Sequence, residues 1–251
     1  MSQPKVTIIT ACFNAQSTIE HTLNAVNKQS YSNIEHIIVD GGSSDDTLRI
    51  IQAHKGPNTI VISEPDEGIY DAFNKGLAKS SGQIIGFLNA DDQFANNEVV
   101  TELVSIFDHS QADAVACSVE IFKSLNPNKP YRLYKATDFK PWQFRLGIQP
   151  PHPGFYVSRP AFEKVGFYRT QYKISGDFDW LLRAILLEQL QVVYSPKIMV
   201  HMLDGGASAS GLKSKRLMNQ EDLKILKQHG IYSNTIMIWS KYLIKLFQLR
   251  F

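Results

Sequence analysis

The chain reads as an α/β protein: a mainly parallel central sheet flanked by helices, followed by C-terminal helices. Three observations predict it. Short β-rich runs alternate with helix-period stretches from Val6 to Val119, the rhythm of βαβ units. Two apolar runs, Ile37 to Asp40 and Ile84 to Leu88, end abruptly, one in Asp40 and the other in Asn89, Ala90, Asp91 and Asp92. Open sheets bind ligands at such carboxyl edges. The 251 residues are 43% hydrophobic and 20% charged, enough for a sizeable core and against disorder.

The elements follow in order. Val6 to Thr10 is a strand. Asn14 and Ser17 offer caps for a helix carrying Ile19, Leu23 and Val26 at helical spacing. Strands are expected at Ile34 to Val39, Thr59 to Ile62, Ile84 to Leu88 and Ala114 to Val119. Helices are expected between them, at Thr47 to Ala53, residues 69–80 and Val99 to Phe107. From Lys123 to Pro153 the chain is rich in Pro, Lys and aromatics without a period. Long irregular segments in compact domains are usually functional, so this one is expected to wall the site, contributing Trp142 and Phe144. Then come a strand at Phe155 to Ser158, a helix from Pro160, a helix at Asp177 to Leu190, and strands at Val192 to Tyr194 and Ile198 to Met202. Helices at 214–228 and 235–249 close the chain. Residues 1–210 form the main domain on this reading, and 211–251 a helical appendage.

Charge is unevenly placed. Residues 211–251 hold eight Lys or Arg against Glu221 and Asp222, a net of +6; with +2 overall, residues 1–210 carry −4. The overall balance argues against general nucleic-acid binding, and the basic end suggests an anionic surface as partner. The last helix sets Lys241, Lys245 and Gln248 on one stripe, with Ile238, Trp239, Tyr242, Leu243, Leu246, Phe247 and Leu249 over most of the rest. That is the profile of a helix lying on a membrane surface; a helix packed on the domain with its lysines in water is the other reading. Cys12 and Cys117 lie in or beside apolar strands, which fits a reducing compartment. The N-terminus lacks the build of a signal peptide, and no run of 18 apolar residues offers a membrane span. A cytoplasmic protein, peripheral on the inner face of the cell membrane, is the expectation.

Several side chains are candidates for chemistry. Adjacent acids such as Asp91 and Asp92 repel unless a cation or a donor sits nearby. Asp40, with Gly41 and Gly42 turning the chain behind it, can accept a hydrogen bond from a base or ribose, while Asp45 and Asp46 suit the start of a helix. TACFNAQST after the first strand has no glycine fingerprint for a dinucleotide, though Phe13 can face a base. His152, held between Pro151 and Pro153, either lines a pocket or bonds a nearby carbonyl. His201 is a phosphate or metal ligand, or a core histidine. Gly205, Gly206 and Ser208 suit a loop that closes on phosphates. Trp142 either stacks on a sugar or anchors packing.

The motifs VTIITACFN, VDGGSSDDT, EPDEGIYDAFNKG, GFLNADD and ISGDFDWLLR, in this order over about residues 4–209, resemble family-two glycosyltransferases of the GT-A fold, and most closely the branch that builds bacterial surface polysaccharides. The resemblance implies an inverting transferase that uses a nucleotide-diphosphate sugar, with UDP the expected carrier, and a divalent cation, Mg²⁺ or Mn²⁺. It implies that Thr10, Ala11, Phe13 and Asn14 border the nucleotide base and Asp40 binds it. Asn74 and Lys75 face the ribose or phosphates, and Asn89 the ribose. Asp91 and Asp92 hold the metal, and Asp177 is the catalytic base, with Asp179 second. A glycan or lipid-linked hydroxyl is the implied acceptor.

The chemistry needs these groups. A hard cation takes oxygen ligands, few of them from protein, and stabilises charge on the departing diphosphate. An acceptor hydroxyl must lose its proton as it attacks; Asp177 can do this and cap its helix at once. The sequence departs from the family where Asn89 replaces an acid, and where Phe73 stands in place of Arg. The rivals are a catalytically silent nucleotide-sugar-binding subunit and a sugar-phosphate nucleotidyltransferase, whose glycine-rich signature TACFNAQST lacks.

Overall fold

The computed structural model describes residues 3–123, 130–205 and 211–246. Among the described residues the sheet has nine strands, with the order β3-β2-β1-β4-β8-β6-β9-β5 and β7 paired to β6. The N-terminal half is parallel: β1 (Val6–Cys12) lies between β2 (Ile34–Asp40) and β4 (Ile84–Phe87), and β3 (Thr59–Ser63) adds to β2. β1 is buried along its whole length, as expected of a strand covered on both faces. The connecting helices are α1 (Ile19–Asn27), α2 (Thr47–His54) and α3 (Ile69–Lys79).

The second half is mixed. β8 (Phe155–Ser158) inserts antiparallel between β4 and β6 (Ala114–Phe122). β7 (Arg132–Tyr134) takes the far end of the same β6 edge. β9 (Val192–Leu203) runs parallel to β6 with a register shift near Cys117 and Ser118. That irregularity falls where two separate strands are expected from the sequence. The short β5 (Gln93–Phe94) pairs antiparallel with β9 and sets Gln93 opposite His201. α4 (Val99–Ser110) and α5 (Arg159–Val165) precede β6 and follow β8. The irregular segment contains β7 and three short 3₁₀ turns.

α6 (Gly176–Leu182) continues as a wide π-type turn, and α7 (Leu212–Gln228) and α8 (Thr235–Leu246) complete the described chain. Ile225, Leu226 and Ile238 from these last helices share one buried core with Ile9, Phe73, Phe87 and Phe155. No described helix is long and apolar enough to cross a membrane. α8 departs from the reading of a packed helix with its lysines in water. Its Lys241 is buried and bonded to Asp222 at 2.8 Å, whereas Ile236, Trp239 and Leu243 are exposed. Lys241 packs inward with Ile238 because a buried acid satisfies it, and three apolar side chains are left outside. Phe247, Gln248 and Leu249 lie outside the described residues, as does the side chain of Leu246.

Candidate active site

Two hollows meet at Asp177. The first, about 630 Å³, is lined by the end of β1 and the loop behind it, by Tyr70 and Phe73, and by Asn89 to Asp92. The second, about 490 Å³, is lined by the irregular segment, α7 and α8. Asp177, His152, Asp204 and Gly205 line both.

In the first hollow Ala11, Phe13, Asn14, Asn89, Asp91 and Asp92 share one wall system. Phe13 is 63% exposed, an open aromatic face beside strand-end polar groups. Asn14 has φ 50° and ties two loops together: its N–H donates to Ser43 Oγ at 2.8 Å and its Oδ1 accepts from Ser44 N–H at 2.9 Å. It is not the cap of α1, which starts at Ile19 after Thr18 with no side-chain cap bond. Asp45 Oδ1 accepts from Thr47 N–H at 3.0 Å, so this acid closes the start of α2, while Asp46 pairs with Arg49 at 2.9 Å.

Thr10 and Asp40 lie beneath this wall rather than on it. Thr10 Oγ1 meets His36 Nε2 at 3.0 Å. Asp40 accepts from Ser43 Oγ at 2.5 Å and Ser63 Oγ at 2.8 Å and is 1% exposed. As it stands, its carboxylate organises the loop behind β2.

Asp92 is fully buried. Its Oδ2 accepts from Asn89 Nδ2 at 3.1 Å, while Asp92 Oδ1 and Asn89 Oδ1 have no hydrogen-bond partner. Burial pushes both neighbouring carboxyls up, Asp92 well above the usual range, with the Asp91 charge adding to it. Two raised carboxyls beside the orphaned Asp92 and Asn89 oxygens fit a cation-binding role. Among the described residues no three His, Cys, Asp or Glu side chains converge. Asp91 and Asp92 therefore suit an ion that completes its shell with water and phosphate oxygens.

Asp177 is held from several sides. Oδ2 accepts from Gln149 Nε2 at 2.6 Å, and Oδ1 accepts from Phe178 N–H at 2.8 Å. The Tyr70 hydroxyl sits 3.1 Å from Oδ1 and also reaches the Ile174 carbonyl. Gly176 makes this possible, because a Cβ there would lie 2.7 Å from the Tyr70 ring. Glu221 on α7 then fixes the incoming loop, accepting from the N–H groups of Lys173, Ile174 and Ser175 at 2.8, 3.0 and 2.9 Å. Gln149, Tyr70 and Glu221 escape the sequence reading. Tyr70 alone lay within a quoted motif; the other two touch the site only through the fold.

His152 lines both hollows but is 8% exposed. Its ring packs against Phe73 and Phe87, Nε2 meets the Tyr168 hydroxyl at 2.9 Å, and burial lowers its pKa against the pull of Asp177. Phe73 is part of this aromatic cluster.

The remaining candidates line neither hollow. Asn74 clamps the backbone of Tyr168 through two bonds of 2.9 Å. Lys75 is neutralised by Glu64 at 3.0 Å and Asp71 at 3.3 Å. Asp179 is fully buried among Arg183, Arg169 and His229 at 2.9, 3.1 and 3.2 Å, a closed ion network with no route to a substrate. Trp142 is 60% exposed on a 3₁₀ turn. His201 faces Glu120 at 3.4 Å and packs edge-on against Phe122. Gly206 and Ser208 lie outside the described residues.

Sheet order and strand-end acids define a GT-A type α/β fold. Residues 7–166 match Glycosyl transferase family 2, and the chain belongs to that family. It is 27% identical over 230 residues to a PGL/p-HBAD biosynthesis glycosyltransferase of Mycobacterium tuberculosis, covering 90% of this chain and 85% of the relative. Among solved structures it is similar to Staphylococcus aureus TarS 1-349 in complex with UDP-GlcNAc, with a TM-score of 0.66 at 18% identity, over 86% of this chain and 66% of that one. It is also similar to the mannosyltransferase PcManGT from Pyrobaculum calidifontis in complex with GDP-Man and Mn²⁺, with a TM-score of 0.66 at 19% identity, over 89% of this chain and 63% of that one. At these identities the solved structures establish the fold.

Proposed function

We propose that this chain transfers one sugar, with inversion, from a nucleotide-diphosphate sugar to an acceptor hydroxyl during assembly of a surface polysaccharide or glycolipid. The observation that carries this is the position of Asp177, which with Asp204 is common to two hollows of different character and which alone of the two is aimed by Gln149 and the Phe178 N–H. The donor occupies the hollow of Phe13, Asn14, Asn89, Asp91 and Asp92, and the acceptor enters from the other. The acceptor oxygen bonds to the anomeric carbon, that carbon releases the diphosphate oxygen with its electron pair, and Asp177 takes the hydroxyl proton. Gln149 and the Phe178 N–H aim the carboxylate, so little reorientation is needed at the moment of attack. A Mn²⁺ or Mg²⁺ ion held by Asp91 and Asp92 would supply charge stabilisation to the departing diphosphate.

UDP is the proposed carrier, in keeping with the UDP-GlcNAc bound by TarS; the GDP-Man and Mn²⁺ bound by PcManGT make GDP the competing nucleotide and support the cation. The relative named for PGL/p-HBAD biosynthesis supports a surface-glycan role. We place the enzyme on the cytoplasmic side of the membrane, with Ile236, Trp239 and Leu243 of α8 as the apolar contact.

The test is Asp177→Asn. Donor-induced thermal stabilisation with Mn²⁺ should persist while transfer drops by about 10²- to 10⁴-fold, the usual range for a general base. Near-normal turnover removes the assignment. A second reading, a silent nucleotide-sugar-binding subunit, rests on Asn89, an uncharged amide where the resemblance implies an acid. Metal-dependent release of UDP from a donor by the unmodified protein excludes that reading.

A further inference from the structure

We infer that the second hollow takes an acceptor bearing phosphoryl groups, seated against Lys215, Lys241 and Lys245. This rests on the transferase reading above, and it narrows the acceptor to an anion.

Three ammonium groups crowd around one ring. Lys215, Lys241 and Lys245 Nζ stand 6.0, 5.5 and 5.7 Å from the centroid of Tyr242. All three lysines, with Tyr242, line the second hollow and not the first. Asp222 offsets Lys241 at 2.8 Å. Among the described residues neither Lys215 nor Lys245 has an ion pair, and the residues outside that set contain no Asp or Glu.

Burial, Arg132 and the two other lysines push the Lys245 ammonium down to about 8. Such mutual repulsion inside a half-buried pocket is relieved by a multiply charged anion. A neutral sugar would leave the repulsion in place, and one carboxylate would offset a single charge. Lysine meets phosphate as a point charge, so several ammonium groups gathered around one ring of the hollow suit a phosphoryl group. Gly147, with φ 67°, keeps this corner open: a Cβ there would lie 3.0 Å from Asp222 Oδ2 and 3.2 Å from Lys241 Nζ. The other acids lining the hollow, Asp177 and Asp204, sit where it joins the donor side. A phosphoryl group on the lysines therefore leaves another part of the acceptor to meet the base.

The experiment measures binding of two soluble probes, farnesyl diphosphate and a glycerol-phosphate trimer, by calorimetry on the full chain with neutral farnesol as control. At low salt the unmodified protein should bind at least one phosphoryl probe. The double variant Lys215→Gln/Lys245→Gln should lose tenfold or more, and Lys245→Arg should stay within about threefold, because its charge persists. Binding of the diphosphate alone assigns a lipid-linked acceptor, and binding of the trimer a phosphodiester polymer. The inference is overturned if neither probe binds, if farnesol binds as well as its diphosphate, or if the double variant binds unchanged. Donor-induced stabilisation is measured on the same proteins. If it is present everywhere while probe binding ignores the lysines, the acceptor class is wrong; if it is absent everywhere, the transferase reading is wrong.

Discussion

The two hollows that share Asp177 are built in opposite ways. The hollow proposed for the donor comes from the ends of parallel strands, carries the paired acids Asp91 and Asp92, and draws most of its residues from short contiguous motifs. The hollow proposed for the acceptor comes from an irregular segment and two C-terminal helices, carries lysines, and gathers single residues from distant places. The contrast suits the chemistry. A metal-bridged diphosphate calls for acids around the cation, whereas loops and appended helices suit recognition of a second substrate. Placing the base at the seam lets each side change without moving the reacting carboxylate.

The sharpest way to break this comparison is on the acidic side. Asp91→Ala should lower metal-supported turnover by about 10²-fold or more, since even groups behind a metal ligand are worth 10- to 100-fold. Turnover titrated with Mn²⁺ measures it, and an unchanged titration curve would detach the cation from this hollow. Next comes the seam. Glu221→Gln removes a charge that accepts three backbone N–H groups ahead of Asp177. It should destabilise the protein by about 1–3 kcal/mol and reduce kcat about tenfold through a displaced base. Thermal melting and kinetics read both, and an unaltered kcat would make Glu221 a structural residue only.

A smaller effect is expected from pH on the basic side. Lys245 titrates near 8 in the folded protein and near 10.5 unfolded. Between these values the unfolded chain binds more protons, so stability rises with pH through that window. Acceptor binding moves the opposite way: KM for a phosphoryl acceptor should rise a few-fold as pH passes about 8 and Lys245 discharges. Lys215 and Asp222 on α7, Lys241 on α8 and Arg132 on β7 face the same group. Lys245→Gln should flatten both profiles, and a KM that climbs equally in that variant would point to another titrating group. The smallest effect is expected at Trp142, which is 60% exposed and outside both hollows. Trp142→Ala should shift stability by less than about 0.5 kcal/mol and leave acceptor KM within twofold. A larger KM change would extend the acceptor hollow over the 3₁₀ turn.

Legibility followed the same divide. The parallel half, its alternating helices and the acid-tipped strand ends are readable because each element occupies consecutive residues with its own period. Asn89, Asp91, Asp92 and Asp177 stand in such motifs, and the fold brings them to a single hollow. Reading failed where a side chain's neighbours come from elsewhere. Asp179, two residues from Asp177, turns into a sealed network with Arg169, Arg183 and His229. Asn74 and Lys75 spend their bonds on Tyr168, Glu64 and Asp71. The lysine stripe of α8 looked like a solvent face, because nothing local reveals that Asp222 waits beneath it.

The sequence by itself determined the class of fold, the family and the strand-end acids, since periodicity, strand length and contiguous motifs are local properties of a chain. Tertiary structure alone decided the antiparallel insertion of β8, the grip of Gln149 on Asp177 and of Glu221 on the loop before it, and the inward turn of Lys241. Each of these depends on which distant groups share a small buried volume, and a buried charge takes its role from its partners rather than from its position along the chain.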